Sequence, residues 1–577
     1  MNANHPHHKV VIIGSGISGL TTLIQLKRKL GLQDVRVYEK GIELGGTWAK
    51  NSYPGATSDI PISFYSASFS PAKNFSTQWP SSQEILSYWK NLVLEYQVSS
   101  RITYSTLILS AKWIEESGIW ELEVKNLKTG EVRIESCNVL ISAVGALSTP
   151  SPAPFDTSRF EGKIVHTGDW DKSIDLKDKN VVVLGNGCSG NQMIPAIIDQ
   201  VKSLTQIARS KHSIVPPVQV PDNYWTNFLV RWIPGLITVF RCAVFFLCES
   251  YFWMNTDSRK AEKARSNMKK LSDKYIEKTA PEKYWDQLKY DFEFGQKRRI
   301  IDFKHYTTCL HSPKFNLLLP DTISTVTGKT LTTEQGVVIK NVDVIILSTG
   351  FKVTNYLGDL KILNGNNEDL VERLKKNGVK TYLTSMVSSY PNFWMLMGPN
   401  SVTGHSSVLF NSECTIEMMI KLLRPVFHSI AKQESQITST SVISTPSVRE
   451  EEDQEEKPSS FPSSESVIET EFSRSPFDEK FPFHRGDDQI SLPPRTETVV
   501  QAPFVQVTQE AEDEWYDSLR KEMNKLIWEP KNKDGKVSWY TDQEQNGKCT
   551  TLYPWSQIHF KNSTQKIIKE RFVWSNC

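Results

Sequence analysis

The stretch HKVVIIGSGISGL, residues 8–20, decides how this chain is read. Residues 10–13, VVII, have the unbroken apolar run of a buried strand. They lead into Gly14, Gly16 and Gly19, spaced G-x-G-x-x-G, and the pattern then predicts a helix with Leu20, Leu23, Ile24 and Leu30 on its buried side. The glycines permit a tight turn, close approach of a pyrophosphate and close packing of helix on strand, while the helix N-terminus carries the partial positive charge a phosphate needs. A second strand, residues 34–38, ends at Glu39, twenty residues past Gly19. An acid there accepts hydrogen bonds from the ribose hydroxyls of an adenosine. A lone glycine triplet is weak, but strand, triplet, helix, strand and acid in register are strong.

The same pattern returns in NVVVLGNGCSGNQM, residues 180–193, with Gly185, Gly187 and Gly190. Its following strand, residues 203–208, ends differently: Arg209, Ser210 and Lys211 stand where the first unit has its acid. An acid would repel a ribose 2′-phosphate, whereas a guanidinium and an ammonium bind it. The first unit is therefore expected to hold FAD and the second NADPH, with a hydride passing from nicotinamide to flavin. The expected NADP-binding residues are Asn186, Gly187, Cys188, Ser189, Gly190, Asn191 and Gln192 on the loop and helix, with Arg209 and Ser210 beyond. The bland alternative for Arg209 is a solvated strand end. Two further strand ends, at Gly145 and Gly350, resemble turns at which a chain crosses between two dinucleotide domains.

The rest of the chain bounds this reading. Its 577 residues exceed what one core supports, and 67 Lys+Arg against 65 Asp+Glu argue against a dedicated nucleic-acid binder. Eight scattered cysteines form no C-x-x-C pair, which excludes a disulfide scaffold, a zinc site and the facing thiols of a disulfide reductase. The short polar N-terminus predicts no signal peptide, so a soluble cytoplasmic protein is expected. The most apolar region, residues 230–254, is broken by Arg231, Arg241 and Glu249. Its charge-free pieces are too short to span a bilayer, so the expectation is a buried or substrate-lining helix, with a membrane-touching face as the alternative. The Ser-, Thr-, Pro- and Glu-rich residues 433–498 read as a disordered insertion. Helical periodicity resumes near residue 511, with Trp515, Leu519, Met523 and Ile527 on one side.

A longer set of residues carries a resemblance. Phe160-x-Gly162-x-x-x-His166-x-x-x-Trp170-Asp171 is similar to the fingerprint of type I Baeyer–Villiger monooxygenases at every defined position. Related N- and S-oxygenating flavin enzymes usually carry Tyr or Phe where Trp170 stands. Gly45-Gly46-Thr47-Trp48, followed by Tyr53-Pro54-Gly55 and Asp59, resembles that family's second signature. Similarity continues through residues 296–306, 390–405 and 550–560, and is strongest to fungal members, which suggests secondary metabolism. Trp170 and His166 have a bland reading too, as residues that only hold an interdomain linker, and Trp48 can be ordinary packing.

The resemblance implies an α/β protein of two Rossmann-like dinucleotide-binding domains with a helical insertion. The expected FAD domain is discontinuous, at 1–150, 346–432 and 499–577. The NADP domain is expected at 151–215 and 296–345, around a helical insertion at 216–295. Thr47, Trp48, Thr57, Ser58, Asp59 and Tyr65 join Gly14, Gly16, Gly19 and Glu39 as expected cofactor-binding residues. Arg298 matches the catalytic arginine, and Asp59 the carboxylate beside it. Baeyer–Villiger chemistry needs an oxygen anion that attacks a ketone carbonyl, and a guanidinium stabilises such an anion without donating its proton away. Read alone, Lys297-Arg298-Arg299 is a solvated basic run. Thr57, Thr384 and His305 depart from common family residues, where Arg, Gly and Tyr are frequent. Three activities stand at this point: ketone oxidation to an ester or lactone with O2, oxidation of N or S atoms or hydroxylation, and flavin binding without oxygenation.

Overall fold

The computed structural model describes residues 5–217, 224–443, 501–529, 540–542 and 545–577. The chain begins β1 (His7–Ile13), α1 (Ile17–Leu30), β2 (Val35–Tyr38), the short α2 (Thr47–Lys50) and α3 (Ser82–Glu95). α1 ends at Gly31, whose left-handed φ of 66° closes the helix, and α3 starts in a capping box between Ser81 and Glu84. β3 (Ile102–Thr103), β4 (Thr106–Ile114), β5 (Ile119–Asn126) and β6 (Val132–Ser142) complete the first pass. The second unit opens with β7 (Lys163–His166), β8 (Asn180–Leu184), α4 (Cys188–Ile197), β9 (Ser203–Ile207) and β10 (Ile214–Val215). Four helices follow: α5 (Tyr224–Trp232), α6 (Leu236–Glu249), α7 (Arg259–Thr279) and α8 (Trp285–Leu288). The chain then returns through β11 (Ile300–Ile301), α9 (Tyr306–Cys309) and β12 (Phe315–Leu318). A small antiparallel sheet of β13 (Ile323–Thr327), β14 (Thr330–Thr333) and β15 (Val338–Ile339) precedes β16 (Val344–Leu347). Last come β17 (Lys361–Leu363), α10 (Leu370–Lys376), β18 (Phe393–Met395), α11 (Val408–Ile443), β19 (Phe504–Val507), α12 (Gln509–Met523) and α13 (Gln557–Gln565).

Two sheets organise these elements. The first has the order β17-β4-β5-β6-β1-β2-β3, with β18 also paired to β6. β1 runs parallel to β2 in the register Val10↔Val35 and to β6 in the register Val10↔Val139. Val10, Val11 and Ile12 are fully buried, which a central parallel strand covered on both faces requires. The second sheet is wholly parallel, β12-β9-β8-β16-β7, with β8 between β9 and β16 in the registers Val181↔Leu204 and Val181↔Val344. The architecture is thus the expected α/β one of two dinucleotide-binding folds. The chain leaves the first sheet after β6 and comes back after β16. The outgoing and returning segments run side by side: Lys352 N donates to Thr149 O at 3.0 Å and Ser151 N to Gly350 O at 2.9 Å. His166 sits on this double crossing, its Nε2 3.3 Å from Thr349 Oγ1 and its ring edge-on to Phe351. Trp170 packs on the core of the second sheet.

Two expectations need correction. α11 continues to Ile443, into the stretch expected to be disordered from 433, because adding turns to a formed helix needs no new nucleus. The remainder of that stretch, from 444, lies outside the described residues. The apolar region around α6 is not the buried helix its hydropathy suggests. Within Leu236–Asn255, the 18-residue stretch of mean hydropathy 1.5 is only 11% buried. Val244 does pack inward on Ile60 and Phe64, but Val239 and Phe246 face outward. Hydropathy sums side chains without recording which way each one points.

The departures at Thr384 and His305 have a backbone counterpart. Thr384 lies at φ 62° and His305 at φ 56°, in the left-handed region that favours glycine, and a β-branched residue such as Thr384 is strained there.

Candidate active site and cofactor loops

Each glycine loop grows from the carboxyl end of a central strand. Gly14 and Gly185 both have φ 102°, and a Cβ on either would lie 2.7 Å from Ala143 O or 2.3 Å from Ser348 O. Their helices, α1 and α4, begin at Gly16 and Gly187 with no side-chain cap and no acidic residue in the first turn. The first-turn N–H groups therefore point into the loop without an internal acceptor. A Cβ at Gly16 would come no nearer than 3.7 Å to other atoms, and one at Gly187 would meet nothing within 4 Å. The protein leaves that space open on both helix ends.

Glu39 ends β2 beside the first loop. Its buried carboxylate accepts from Ser15 N at 2.8 Å, Ser15 Oγ at 2.9 Å and Gly41 N at 2.7 Å, so it is held at the rim of the loop. Gly45 N donates to Ser15 O at 2.9 Å, drawing the Gly45–Gly46 turn over the same loop. Thr47 and Trp48 follow in α2, and the buried Trp48 ring meets Tyr65 edge-on at 5.8 Å. The packing role and the cofactor role are therefore compatible for Trp48. Thr57 turns its hydroxyl to Pro80 O at 2.7 Å, and Ser58 Oγ accepts from Ile60 N at 3.1 Å, so both stabilise the turn that presents Asp59.

On the second loop, Asn186 Nδ2 donates to Ser210 O at 2.9 Å and Asn191 Nδ2 to Asn186 O at 2.6 Å. The loop is thereby tied to the turn carrying Arg209, whose side chain is exposed at the strand end. Gln192 reaches back to the first unit: its Nε2 donates to Thr57 O at 3.1 Å and its Oε1 accepts from Tyr53 Oη at 2.9 Å. Burial pushes the Tyr53 hydroxyl up to about 12, only partly offset by hydrogen bonding with Ser189. Tyr53 belongs to the second signature in the sequence, and nothing in its spacing announces the bond to Gln192.

Lys297-Arg298-Arg299 splits three ways. Arg299 Nη1 donates to Gly404 O at 2.6 Å, and Lys297 Nζ lies 4.8 Å over the Phe292 ring. Arg298 Nη2 donates to Asp59 Oδ2 at 2.8 Å. Burial alone would raise the Asp59 carboxyl, but the Arg298 charge outweighs it and holds the carboxyl below its usual range. Arg298 in turn is held more firmly protonated by the anionic charge beside it, which a deprotonated Cys188 would supply first and which Asp59 supplies second. Burial pushes the Cys188 thiol up and keeps it neutral, so Asp59 is the partner that acts at neutral pH. Asp59 lines a shallow cleft together with Cys188, Gln192, Ile300 and Phe303. Asp302 is a brace behind it: its carboxylate accepts from Tyr306 N at 2.5 Å and Thr307 N at 3.1 Å. His212, which the sequence did not single out, is pushed down to about 4 by burial and then by Lys297, with a smaller push from Arg298. It is neutral beside a strongly basic run.

Residues 12–79 match the family of NAD(P)-binding Rossmann-like domains. The chain is 30% identical over 426 residues to FAD-binding monooxygenase BOA2 of Botryotinia fuckeliana, aligning 70% of this chain with 77% of that protein. It is 27% identical over 420 residues to a Baeyer-Villiger monooxygenase of Pseudomonas aeruginosa, over 72% of this chain and 77% of the relative. Among solved structures, NADP+-bound cyclohexanone monooxygenase from Rhodococcus sp. Phi1 superposes with a TM-score of 0.72 over 99% of both chains, at 20% identity. That likeness is one of fold.

Proposed function

The chain belongs to the FAD- and NADP-dependent monooxygenases of Baeyer–Villiger type, and from that premise we propose that it inserts one oxygen atom of O2 beside a ketone carbonyl, giving an ester or lactone. Ketone, O2, NADPH and a proton are consumed, and ester, NADP+ and water are formed. The observation that carries the reading is the 2.8 Å bond between Arg298 and Asp59 at the edge of the second glycine loop's cleft.

The residues fit both cofactors. Uncapped first turns at Gly16 and Gly187, free of acids, suit a diphosphate at each helix end. Glu39 suits an adenosine ribose on one side, and exposed Arg209 with Ser210 suits a 2′-phosphate on the other. FAD, when bound, supplies a hydride acceptor and the site of O2 activation. Arg298 contributes a fixed positive charge where negative charge develops on oxygen, and a guanidinium does not surrender its proton there. Asp59 orients that guanidinium. Gln192 joins the Asp59 turn to α4, so the nicotinamide loop and the arginine site keep their register.

In the Arg298→Ala variant, flavin absorbance and NADPH binding should persist while ester formation from a ketone panel slows ~10²–10³-fold, a barrier about 2.7–4 kcal/mol higher, the loss seen when one oxyanion donor is removed. With labelled O2, one labelled oxygen in the ester supports the reading. An unchanged ester yield in Arg298→Ala removes Arg298 from the site. Labelled N- or S-oxides without any ester replace ketone oxidation with heteroatom oxidation.

A further inference from the structure

The outward face of α6 carries no charge. Val239, Cys242, Ala243, Phe246 and Leu247 follow the spacing of one helix face and are all exposed, Val239 at 64% and Phe246 at 61%. The two charges that interrupt this apolar sequence both turn inward. Arg241 Nη1 donates to Ser63 O at 2.7 Å, Ser66 O at 3.1 Å and Ser66 Oγ at 2.9 Å. Glu249 accepts from His405 Nε2 at 3.1 Å and from the backbone N–H groups of Gln557 and Ile558, each at 3.2 Å. A helix on a water-facing surface is arranged the other way round, polar outward and apolar inward.

Both ends of this face repeat one motif. Before α6, Trp232 is 64% exposed, with Arg231 Cζ 5.6 Å over its ring. After it, Trp253 is 41% exposed, with Lys260 Nζ 5.5 Å over its ring. An exposed tryptophan topped by a cation is suited to the boundary between hydrocarbon and headgroups. The surrounding sequence is basic as well. Residues 224–279 hold ten Lys or Arg against five Asp or Glu, a net of +5 in a chain whose total is only +2.

We propose that this face seats in the surface of an anionic lipid bilayer, with α6 lying in the membrane plane. At 14 residues α6 is about 21 Å long, short of the ~30 Å hydrocarbon core. The longer segment Leu236–Asn255 has the length and hydropathy of a span, but Arg241 and Glu249 tie it to the fold on its inner side. It therefore lies on the membrane and does not cross it. A second copy of the chain is the poorer occupant, because a two-fold contact through this face would bring the flanking cations Arg231 and Lys260 of one copy against those of the other. The proposal goes beyond the oxidation proposed above and does not depend on it.

The test is flotation of the holoenzyme with vesicles of phosphatidylcholine alone and of phosphatidylcholine with phosphatidylserine. The expected result is capture by the mixed vesicles and weaker capture by the neutral ones. V239Q/F246Q should lower capture by about tenfold or more while retaining flavin and sedimenting as the wild type does. R259Q/K260Q should remove the preference for phosphatidylserine. Wild-type protein that stays with neither vesicle overturns the proposal. So does a dimer that V239Q/F246Q converts to monomer without any vesicle capture.

Discussion

Three adjacent cations at residues 297–299 have three different fates, and only the carboxylate across the cleft distinguishes Arg298 from its neighbours. Asp59 lies 239 positions away in sequence, so the basic run alone read as a solvated face, and only the family resemblance pointed to the middle residue. Because the Asp59 carboxyl sits below its usual range when folded, it binds its proton less readily in the folded than in the unfolded chain. The pair's contribution to stability is then complete above the ordinary carboxylate value and is lost as pH falls through the lowered one. Denaturation midpoints of wild type and Asp59→Asn should therefore differ by a constant amount from about pH 5 to 8 and converge below about pH 4. A gap that widens on acidification would mean that the carboxyl is raised and not lowered. On the proposed reading of Arg209 as the 2′-phosphate partner, Arg209→Ala removes charge-assisted hydrogen bonds worth about 1.5–3 kcal/mol, so KM for NADPH should rise ~10- to 150-fold. KM for NADH, which lacks the 2′-phosphate, should hardly move, and equal effects on both would argue against that contact. Glu39 and Arg209 stand out in the sequence because each follows a glycine triplet by a similar step, and the structure places each at the end of the second strand of its unit. The Tyr53–Gln192 bond does not, since it joins two loops that meet only in the fold.

At the scale of elements, the two strand–loop–helix units are near copies, with first glycines at the same φ of 102°. That identity follows from one geometric demand, a strand that must turn sharply into a helix while leaving its first turn open. Gly14→Ala would place a methyl 2.7 Å from Ala143 O in a backbone region costing about 1–3 kcal/mol for a side chain. The variant should purify with little flavin and a lowered denaturation midpoint, whereas Gly185→Ala should keep its flavin and lose NADPH affinity. Loss of both ligands in both variants would show that the loops are not separate sites. These units were legible because apolar runs and glycine spacing are local signals. The direction of α6 was not, because a helix that turns Arg241 and Glu249 inward has the same composition as one that turns them out. Its apolarity is local to the sequence, whereas the turning of the apolar side away from the core is set by contacts distant in the chain.

For the molecule as a whole, Glu249 is where distant stretches are fastened together. It ends α6, pairs with His405 in the segment before α11, and accepts the first-turn N–H groups of Gln557 and Ile558 at the start of α13. A carboxylate at that helix end also complements the positive pole of the helix. Burial alone would raise the Glu249 carboxyl, but the hydrogen bond to His405 and those at α13 outweigh it and hold it below its usual range. Its contribution is accordingly present at neutral pH and lost as pH falls through that lowered value. Glu249→Ala leaves two N–H groups and one imidazole without this acceptor, so a loss of about 1–3 kcal/mol is expected from the denaturation midpoint at neutral pH. The loss should shrink on acidification, since the wild-type carboxyl then becomes neutral too. Amide exchange should accelerate at the end of α6 and in the first turn of α13 together, because one side chain holds both. If α6 loosens and the start of α13 does not, Ser556 alone caps α13, whose first turn it already serves by accepting from His559 N. The insertion would then be fastened to the rest of the fold by Arg241, by the backbone bonds of Asp257 N to Lys525 O and Ile527 N to Asn255 O, and by apolar packing.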